Sequence, residues 1–150
     1  MSLVAEIAIR GARENDVHLI KELLLGNALP MESVDEHWRT FLLAWDHDRL
    51  VGCGGAESYT NAALLRSIAV DHDYRSKGIA RTIVRQLLDR LSSRGIRDFY
   101  LLTTTAEEYF AKRGFKRIER DEVNPQVLAS AQFQGACPTS AVCMRLQMLS

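Results

Sequence analysis

The feature that most constrains the fold is a strand, a helix and a second strand that follow one another near the middle of the chain. The apolar run Leu64–Val70 predicts a strand, and Ile96–Thr103 predicts another. Between them, apolar side chains recur at helical spacing over Gly78–Arg94, and Gly95 is a residue suited to ending that helix. Such a unit joins parallel strands through a right-handed crossover. We therefore expect a sheet that contains at least one parallel pair.

Shorter predicted elements surround this unit. Val4–Arg10 alternates apolar and polar residues as a first strand does, and Asn15 is placed to cap a helix over Asp16–Leu25. Ser33 and Glu36 fit a capping box that opens a second short helix. The other predicted elements are a hairpin, a short helix, a late strand, a helical turn and a last strand: Phe41–Trp45, Leu50–Tyr59, Ala106–Arg113, Phe115–Glu119, Val127–Phe133 and Ala141–Leu146. The order βααβββαβαβ(α)β predicts one α+β domain, residues 1–150, with a mixed sheet of about seven strands flanked by helices.

The charge balance excludes partners that bind through bulk electrostatics. Lys plus Arg and Asp plus Glu are both 19, so the formal net charge is zero. Nucleic-acid proteins and membrane-surface proteins carry an excess of basic residues. The first ten residues lack the basic start and apolar core of a signal peptide, and no apolar run approaches the roughly 18 residues that span a bilayer. We expect a soluble cytoplasmic protein that binds neither nucleic acid nor membranes.

The cysteines and histidines predict no metal centre. Cys53, Cys137 and Cys143 are widely spaced, and the four histidines are dispersed, so we expect reduced thiols and no bound metal. One alternative stays open: Cys137 and Cys143 could meet in space and bind trivalent arsenic as soft thiolates. The segment Gly52–Gly55 lies inside a predicted strand and is not followed by the Lys of a phosphate-binding loop. It predicts a bulge or sheet curvature.

A concentrated positive segment follows the predicted strand that ends at Val70. Arg75, Lys77 and Arg81 surround the start of the next helix at Gly78. The first turn of a helix has unpaired N–H groups and about half a positive charge, and glycine lets a ligand approach the backbone closely. The segment predicts a site for a small polyanion such as a pyrophosphate. The alternative is that these basic side chains are only solvated.

Two segments resemble motifs of the GNAT N-acetyltransferases. One is similar to their acetyl-CoA motif, R/Q-x-x-G-x-G/A, and the other to the short helix that follows their fifth strand: Arg75-x-x-Gly78-x-Ala80 and Ala106-x-x-Tyr109-Phe110-x-x-x-Gly114-Phe115. The resemblance covers nearly the whole chain, because length and element order also fit. It implies the GNAT fold, an α/β sandwich, and an enzyme that uses acetyl-CoA as its co-substrate.

The resemblance also implies which residues hold acetyl-CoA. Backbone groups at the end of the first parallel strand would bind the pantetheine arm: Ile68, Ala69 and Val70. The loop opened by Arg75 would bind the pyrophosphate through the amides of Ser76, Lys77, Gly78, Ile79, Ala80 and Arg81. The two parallel strands would splay apart to admit the acetyl group.

A narrower likeness within the family concerns the acceptor. Three segments are similar to the arsenic-resistance branch, whose members are linked to N-acetylation of arsinothricin: Ala63 to Val70, Tyr100 to Ala106, and Cys137-Pro138-x-Ser140-Ala141-Val142-Cys143-Met144. This likeness implies a small α-amino acid, or its arsenic or phosphorus analogue, as the acceptor.

The source of the proton for the leaving thiolate is open. Many GNAT enzymes use a tyrosine on the short helix, and in this chain that position falls on Phe110, with Tyr109 beside it. Neighbours on a helix point about 100° apart, so the register of Tyr109 differs from the usual one. The family's usual Asn before this helix is Thr103. We expect Tyr109 to be the acid and Phe110 to lie at the cofactor, and protonation by water is the alternative.

Candidate acceptor-side residues lie on two strands and one loop. Glu57 and Tyr59 are two apart on a predicted strand and share a face, so Glu57 is a candidate base and Tyr59 a candidate substrate contact. Arg66 lies among apolar neighbours, where a charge requires a carboxylate partner. That partner is either internal or the substrate's, and we favour the substrate's. Leu29, in the apolar loop after the first helix, is a candidate lid residue.

Three functions are compatible with these features. The first is N-acetylation of an amino acid or its analogue, and the second is acetylation of an unrelated amine or a protein N-terminus. The third is a non-catalytic acyl-CoA-binding module, which Thr103 and Phe110 make worth retaining. Many members of the family are dimers, so a homodimer is also an expectation.

Overall fold

The computed structural model describes residues 6–148, which form seven strands and five α-helices. The strands are β1 Ile7–Gly11, β2 Leu42–Asp46, β3 Arg49–Ser58, β4 Ala62–Val70, β5 Asp98–Thr103, β6 Lys116–Arg117 and β7 Val142–Gln147. The helices are α1 Val17–Gly26, α2 Val34–His37, α3 Ile79–Ser93, α4 Glu107–Ala111 and α5 Pro125–Leu128, with a π-helical turn at Gln132–Ala136. Val4 and Ala5 of the predicted first strand lie outside the described residues.

The strands form one mixed sheet in the order β1-β2-β3-β4-β5-β7-β6. β4 and β5 are parallel, whereas β1 pairs with β2, β2 with β3, β5 with β7 and β6 with β7 in antiparallel register. The predicted α+β class, the seven strands flanked by helices and the parallel pair joined by the long helix are therefore confirmed.

The chain divides into two compact units. The first unit holds residues up to Ala56 together with Ser67–Asp89, and the second holds Glu57–Arg66 and the residues from Arg90 onward. The expectation of a single domain stays a prediction.

Glycines in β3 explain how the first unit packs. A Cβ atom built on Gly54 would lie 2.6 Å from Ile83 Cγ2 of α3, and one on Gly52 would lie 2.9 Å from Ile79 Cγ2. Only hydrogen at these positions lets α3 lie so close to the strand. The helix that follows the positive segment is thereby held against the sheet, which agrees with the predicted structural role of Gly52–Gly55.

The second unit has its own apolar core. β4, β5 and β7 supply buried residues that meet side chains from the segment around α5: Ala62, Leu64, Tyr100, Val123, Val127 and Cys143. A bidentate ion pair adds to the β5–β7 pairing, because Arg145 Nε and Nη2 lie 2.7 and 3.1 Å from the two carboxylate oxygens of Asp98.

Two predicted helix caps are wrong. Asn15 lies inside a 3₁₀ turn, Glu14–Asp16, and it is Asp16 whose carboxylate accepts from the Arg13 amide at 2.9 Å. Ser33 precedes α2 in a left-handed conformation, φ +68°, and makes no side-chain cap. Capping residues are chosen by the incoming chain direction, which tertiary packing sets, so composition alone does not locate them.

The predicted glycine stop after α3 is confirmed, whereas one late strand is shorter than predicted. Gly95 and Gly114 follow their helices at φ +95° and +96°, the left-handed conformation of a helix stop. The predicted strand Phe115–Glu119 shrinks to the two residues of β6, because the chain turns into a 3₁₀ segment at Arg120–Glu122.

Candidate active site

The first unit contains the strand end, loop and helix start that were predicted to bind acetyl-CoA. β4 ends at Val70, a 3₁₀ turn covers His72–Tyr74, and α3 begins at Ile79. Ser76 and Gly78 have positive φ values of 65° and 80°, which reverse the chain twice within three residues. This tight path lets a short loop present several backbone N–H groups in one direction.

Those N–H groups are available for a ligand. Among residues 6–148 none of the N–H groups from Ser76 to Arg81 donates to a backbone carbonyl, and the first such group to do so is that of Thr82, which donates to Gly78 O at 3.0 Å. Lys77 and Arg81 are exposed and have no carboxylate partner among the same residues. A helix start with free amides and two free cations favours an anion.

Side chains of the β2–β3 hairpin turn hold the first half of this loop. Arg49 Nη2 lies 3.0 Å from Asp71 Oδ2, and its guanidinium lies 5.3 Å from the centre of the Tyr74 ring. The Tyr74 hydroxyl donates to Asp46, and this bond is the main cause that lowers the pKa of the Asp46 carboxyl. Sequence reasoning treated this turn only as polar, because nothing in one sequence shows that two distant loops meet.

Arg75 has a different environment from the one expected. Its guanidinium donates to Asn27 Oδ1 at 2.7 Å and to Val70 O at 3.3 Å. The Arg75 guanidinium thus donates to protein acceptors, whereas Lys77 and Arg81 have no carboxylate partner within residues 6–148. Ile68, Ala69 and Val70 lie at the end of β4 as predicted, after a left-handed Ser67 at φ +59° that interrupts the regular strand.

The second unit brings Glu57, Tyr59 and Arg66 together. Glu57 Oε2 accepts from Arg66 Nη1 at 2.7 Å, and Glu57 Oε1 accepts from the Tyr59 hydroxyl at 2.7 Å. The Glu57 and Arg66 side chains are 2% and 1% exposed, so the ion pair is shielded from water. Of the two carboxylates considered for Arg66, the internal one is therefore present, and the preference for the substrate's carboxylate is replaced by this contact.

Burial and the hydrogen bond to Glu57 both raise the pKa of the Tyr59 phenol. Desolvation, and then the hydrogen bond to the carboxylate, raise the pKa of the Tyr59 phenol well above its usual value of 10.0. Tyr59 is therefore a neutral hydrogen-bond donor at physiological pH. The base role of Glu57 stays a prediction, and both of its oxygens already accept a hydrogen bond.

Helix α4 places Tyr109 and Phe110 in different environments. Phe110 is buried and packs edge-on against Phe115 with ring centroids 5.6 Å apart. The Tyr109 hydroxyl is buried without a hydrogen-bond partner among the described residues, and the Arg113 guanidinium stacks 3.7 Å from the centre of its ring. A buried unpaired hydroxyl is costly, so this group is a candidate for contact with a ligand.

Three further expectations concern the β4–β5 pair, Thr103 and Leu29. The parallel register of β4 and β5 covers Ala62–Leu64 and Asp98–Tyr100, while the next residues, Leu65 and Arg66, have no counterpart in it. Thr103, in place of the family's Asn, accepts from the Ala106 amide through Oγ1 at 2.9 Å and so orders the turn before α4. Leu29 is half-buried against the core of the first unit, which leaves part of it accessible.

Comparison with known proteins decides the family. Residues 20–115 match the family described as acetyltransferase (GNAT). The chain belongs to the GNAT acetyltransferases. The match includes the positive loop, α3, β5 and α4, so GNAT-type N-acetyltransferase is the class of this enzyme.

Relatives agree with this assignment. The chain is 28% identical over 153 aligned positions to an uncharacterized N-acetyltransferase of Chlorobaculum tepidum, covering 97% of this chain and 96% of that one. It is 31% identical to an amino-acid acetyltransferase of Mycobacterium tuberculosis, covering 79% and 74%.

Solved structures of related proteins share the fold. A Mycobacterium tuberculosis protein crystallised with CoA has a TM-score of 0.76 at 25% identity, covering 95% of this chain and 99% of that one. The N-acetylglutamate synthase of Neisseria gonorrhoeae, complexed with coenzyme A and L-arginine, has a TM-score of 0.81 at 20% identity. The match covers 98% of this chain but only 34% of the synthase chain. The latter likeness concerns the fold alone.

The three cysteines of this acetyltransferase are free thiols that are at least partly buried. Cys53 and Cys143 are buried and Cys137 is half-buried, with Cys137 Sγ lying 3.1 Å from Gln132 Oε1. Burial raises the pKa of the Cys143 thiol to about 11, so it stays protonated at neutral pH. Arsenic binding by Cys137 and Cys143 stays a prediction, and this environment disfavours the thiolate that it requires.

Residues 6–148 contain neither a metal-binding cluster nor a membrane-spanning helix. No group of three or more His, Cys, Asp or Glu side chains is arranged to hold a metal ion. None of the helices there combines the length and the apolar character that crossing a membrane requires.

Proposed function

We propose that this N-acetyltransferase binds acetyl-CoA at the loop that precedes α3 and transfers the acetyl group to the α-amine of a small amino acid. The observation that carries the proposal is the row of N–H groups from Ser76 to Arg81, which have no backbone acceptor among residues 6–148, beside Lys77 and Arg81, which have no carboxylate partner among the same residues. A pyrophosphate satisfies such donors and offsets the charge. Ile68, Ala69 and Val70 would bind the pantetheine arm. The crystallised relative that binds CoA supports this assignment.

The acceptor class rests on different support. The relative from Mycobacterium tuberculosis with 31% identity is named an amino-acid acetyltransferase. Three segments also resemble the arsenic-resistance branch, so arsinothricin and phosphinothricin are proposed substrates beside glutamate itself. A substrate α-carboxylate requires donors, and the cluster of Tyr59, Glu57 and Arg66 is the proposed acceptor-side cluster. Leu29, in the loop after α1, is a further proposed substrate contact.

Acetyl transfer requires one bond to form and another to break. The neutral amine attacks the thioester carbonyl, the N–C bond forms, the C–S bond breaks, and the thiolate takes up a proton while the amine loses one. We assign the first proton to the Tyr109 hydroxyl, since it is buried and unpartnered. Phe110 contributes only apolar contact to the cofactor. Glu57 is the proposed acceptor for the amine proton, received through an intervening water.

The deciding experiment measures release of free CoA thiol with a panel of amines. L-Glutamate, L-glutamine, phosphinothricin and arsinothricin test the proposed class, and spermidine and an alanyl peptide test the competing amines. Turnover confined to the amino acids and their analogues supports the proposal. Turnover confined to spermidine or the peptide refutes the acceptor class, and failure of the protein to bind CoA in calorimetry refutes the cofactor site.

A further inference from the structure

Arg75 is anchored at both sides of its guanidinium. Nη2 donates to Asn27 Oδ1 at 2.7 Å, and Nε donates to Val70 O at 3.3 Å. Val70 is the last residue of β4, and Asn27 follows the last residue of α1. One side chain thus joins the end of a strand, the end of a helix and the loop that precedes α3, all within the first unit.

Asn27 is itself oriented for this contact. Its Nδ2 donates to Leu23 O at 2.9 Å, and its backbone N–H donates to Leu24 O at 3.0 Å, which closes the last turn of α1. The amide nitrogen is therefore committed to the helix, and the carbonyl oxygen faces outward as an acceptor. A guanidinium has only donors, so the two groups are complementary.

The contact restrains a strained part of the loop. Ser76, the next residue after Arg75, has a φ of +65°, a conformation that non-glycine residues rarely adopt. Such a conformation is unfavourable for a residue with a side chain and persists only where its surroundings hold it. Arg75 is exposed, so without its two acceptors nothing would restrict its side chain. The anchored side chain holds the backbone just before the strained residue.

We propose that Asn27 is a positioning residue for acetyl-CoA, which acts by holding Arg75 and through it the conformation of Ser76. In that conformation the N–H groups from Ser76 to Arg81 are unpaired and preorganised for the pyrophosphate. This inference rests on the proposed cofactor site. It assigns a role in cofactor affinity to Asn27, which lies outside the loop. Asn27 directly follows α1, a helix that carries none of the predicted cofactor ligands.

A double-mutant cycle tests the inference with CoA itself. The dissociation constant for CoA is measured by calorimetry for the wild type, Asn27→Ala, Arg75→Ala and the double variant. Loss of this solvent-exposed hydrogen bond predicts a Kd about threefold to tenfold higher for Asn27→Ala in the wild-type background. On the Arg75→Ala background the same change is expected to alter the Kd by less than about 1.5-fold.

The cycle distinguishes positioning from a general loss of helix stability. If Asn27 only caps α1, its replacement changes the Kd by the same factor in both backgrounds, and this result overturns the inference. An unchanged Kd for Asn27→Ala also overturns it. Lys21→Ala is the matched control, because it removes a different α1 contact, the 2.6 Å pair with Asp35, and is expected to leave the Kd unchanged. Failure of the wild type to bind CoA would instead refute the proposed cofactor site.

Discussion

Replacement of Glu57 by Gln is expected to destabilise the protein severely, because it leaves the Arg66 guanidinium buried without a counter-charge. Glu57 Oε2 lies 2.7 Å from Arg66 Nη1, and the Glu57 and Arg66 side chains are 2% and 1% exposed. At an effective dielectric constant of about 20, charges at this distance attract by about 6 kcal/mol, which offsets the cost of removing both from water. Removal of one partner of such a pair typically costs about 3–5 kcal/mol.

Urea unfolding followed by circular dichroism measures this loss. With a slope of about 2 kcal/mol per molar, a loss of about 4 kcal/mol lowers the midpoint by about 2 M. The second arm is the double variant Glu57→Gln with Arg66→Met. It removes the buried cation, so its cost is expected to be smaller than the sum of the two single costs.

A pair of nearly equal length but different exposure provides the control. Lys21 and Asp35 lie 2.6 Å apart, and their side chains are 36% and 71% exposed. Lys21→Gln is expected to cost less than about 1 kcal/mol, because water screens exposed pairs. Equal losses for Glu57→Gln and Lys21→Gln would refute the reasoning, since they would show that burial of the Glu57–Arg66 pair does not set its energetic weight.

The same variant separates stability from catalysis. Assayed at a temperature where Glu57→Gln is still folded, loss of a base predicts a fall in kcat of about a hundredfold or more. A positioning role for Glu57 predicts a higher KM for the acceptor with little change in kcat. An unchanged kcat would refute the base assignment and leave the ion pair as the function of Glu57.

Three further predictions concern single groups. Gly78→Ala is expected to raise the KM for acetyl-CoA, whereas Gly95→Ala, with a similar positive φ and the same open surroundings, is expected to lower only the melting temperature. Equal KM values for acetyl-CoA in the Gly78→Ala and Gly95→Ala variants would contradict this prediction. Tyr109→Phe is expected to lower kcat about a hundredfold. Tyr100→Phe is the control: it removes a hydroxyl that donates to Asp98 and is expected to leave kcat unchanged. Because burial raises the Cys143 pKa from 9.0 to about 11, its thiolate absorbance at 240 nm in a variant with the other two cysteines replaced is expected to rise near pH 11. The corresponding stability is present below pH 9 and is lost as the pH rises through 11; a midpoint near 9 would refute it.

The central part of the fold was predictable because several local signals agree there. α3 has an apolar face at helical spacing, and Gly95 ends it with a left-handed residue. Strands rich in apolar residues precede and follow it, so the parallel pair was a necessary consequence of the order of elements. The bounds of α3 differ from the predicted ones by one residue at each end.

The ends of elements were less predictable, because packing decides them. Asn15 lies inside the 3₁₀ turn before α1, and the carboxylate of Asp16 accepts from the Arg13 amide at the start of that turn, although both residue types are good caps. β6 keeps only two residues of a predicted five, since the chain leaves the sheet edge at once. No pattern in the sequence distinguishes these outcomes.

The candidate site shows the same division. The amides of the loop that are unpaired among the described residues follow from a helix start and two residues with positive φ. The helix start was predicted from the sequence, and the binding of a pyrophosphate there stays a prediction. The partner of Arg66 did not follow, because a buried cation requires a carboxylate without specifying its source. Glu57 is nine residues away, on the preceding strand, so a hairpin register would have favoured the internal partner.

The distribution of basic residues shows why charge counting alone does not locate a ligand. Arg49 and Arg75 lie beside the loop, but one binds Asp71 and the other binds Asn27 and Val70, so both stabilise the protein itself. Lys77 and Arg81 have no carboxylate partner among the described residues. The basic side chains around this loop therefore fall into two classes with different roles, although the net charge of the chain is zero. In the proposed cofactor site, the class that organises the loop is as necessary to anion binding as the class that would face the ligand, since free amides bind a pyrophosphate only when the backbone is held in position.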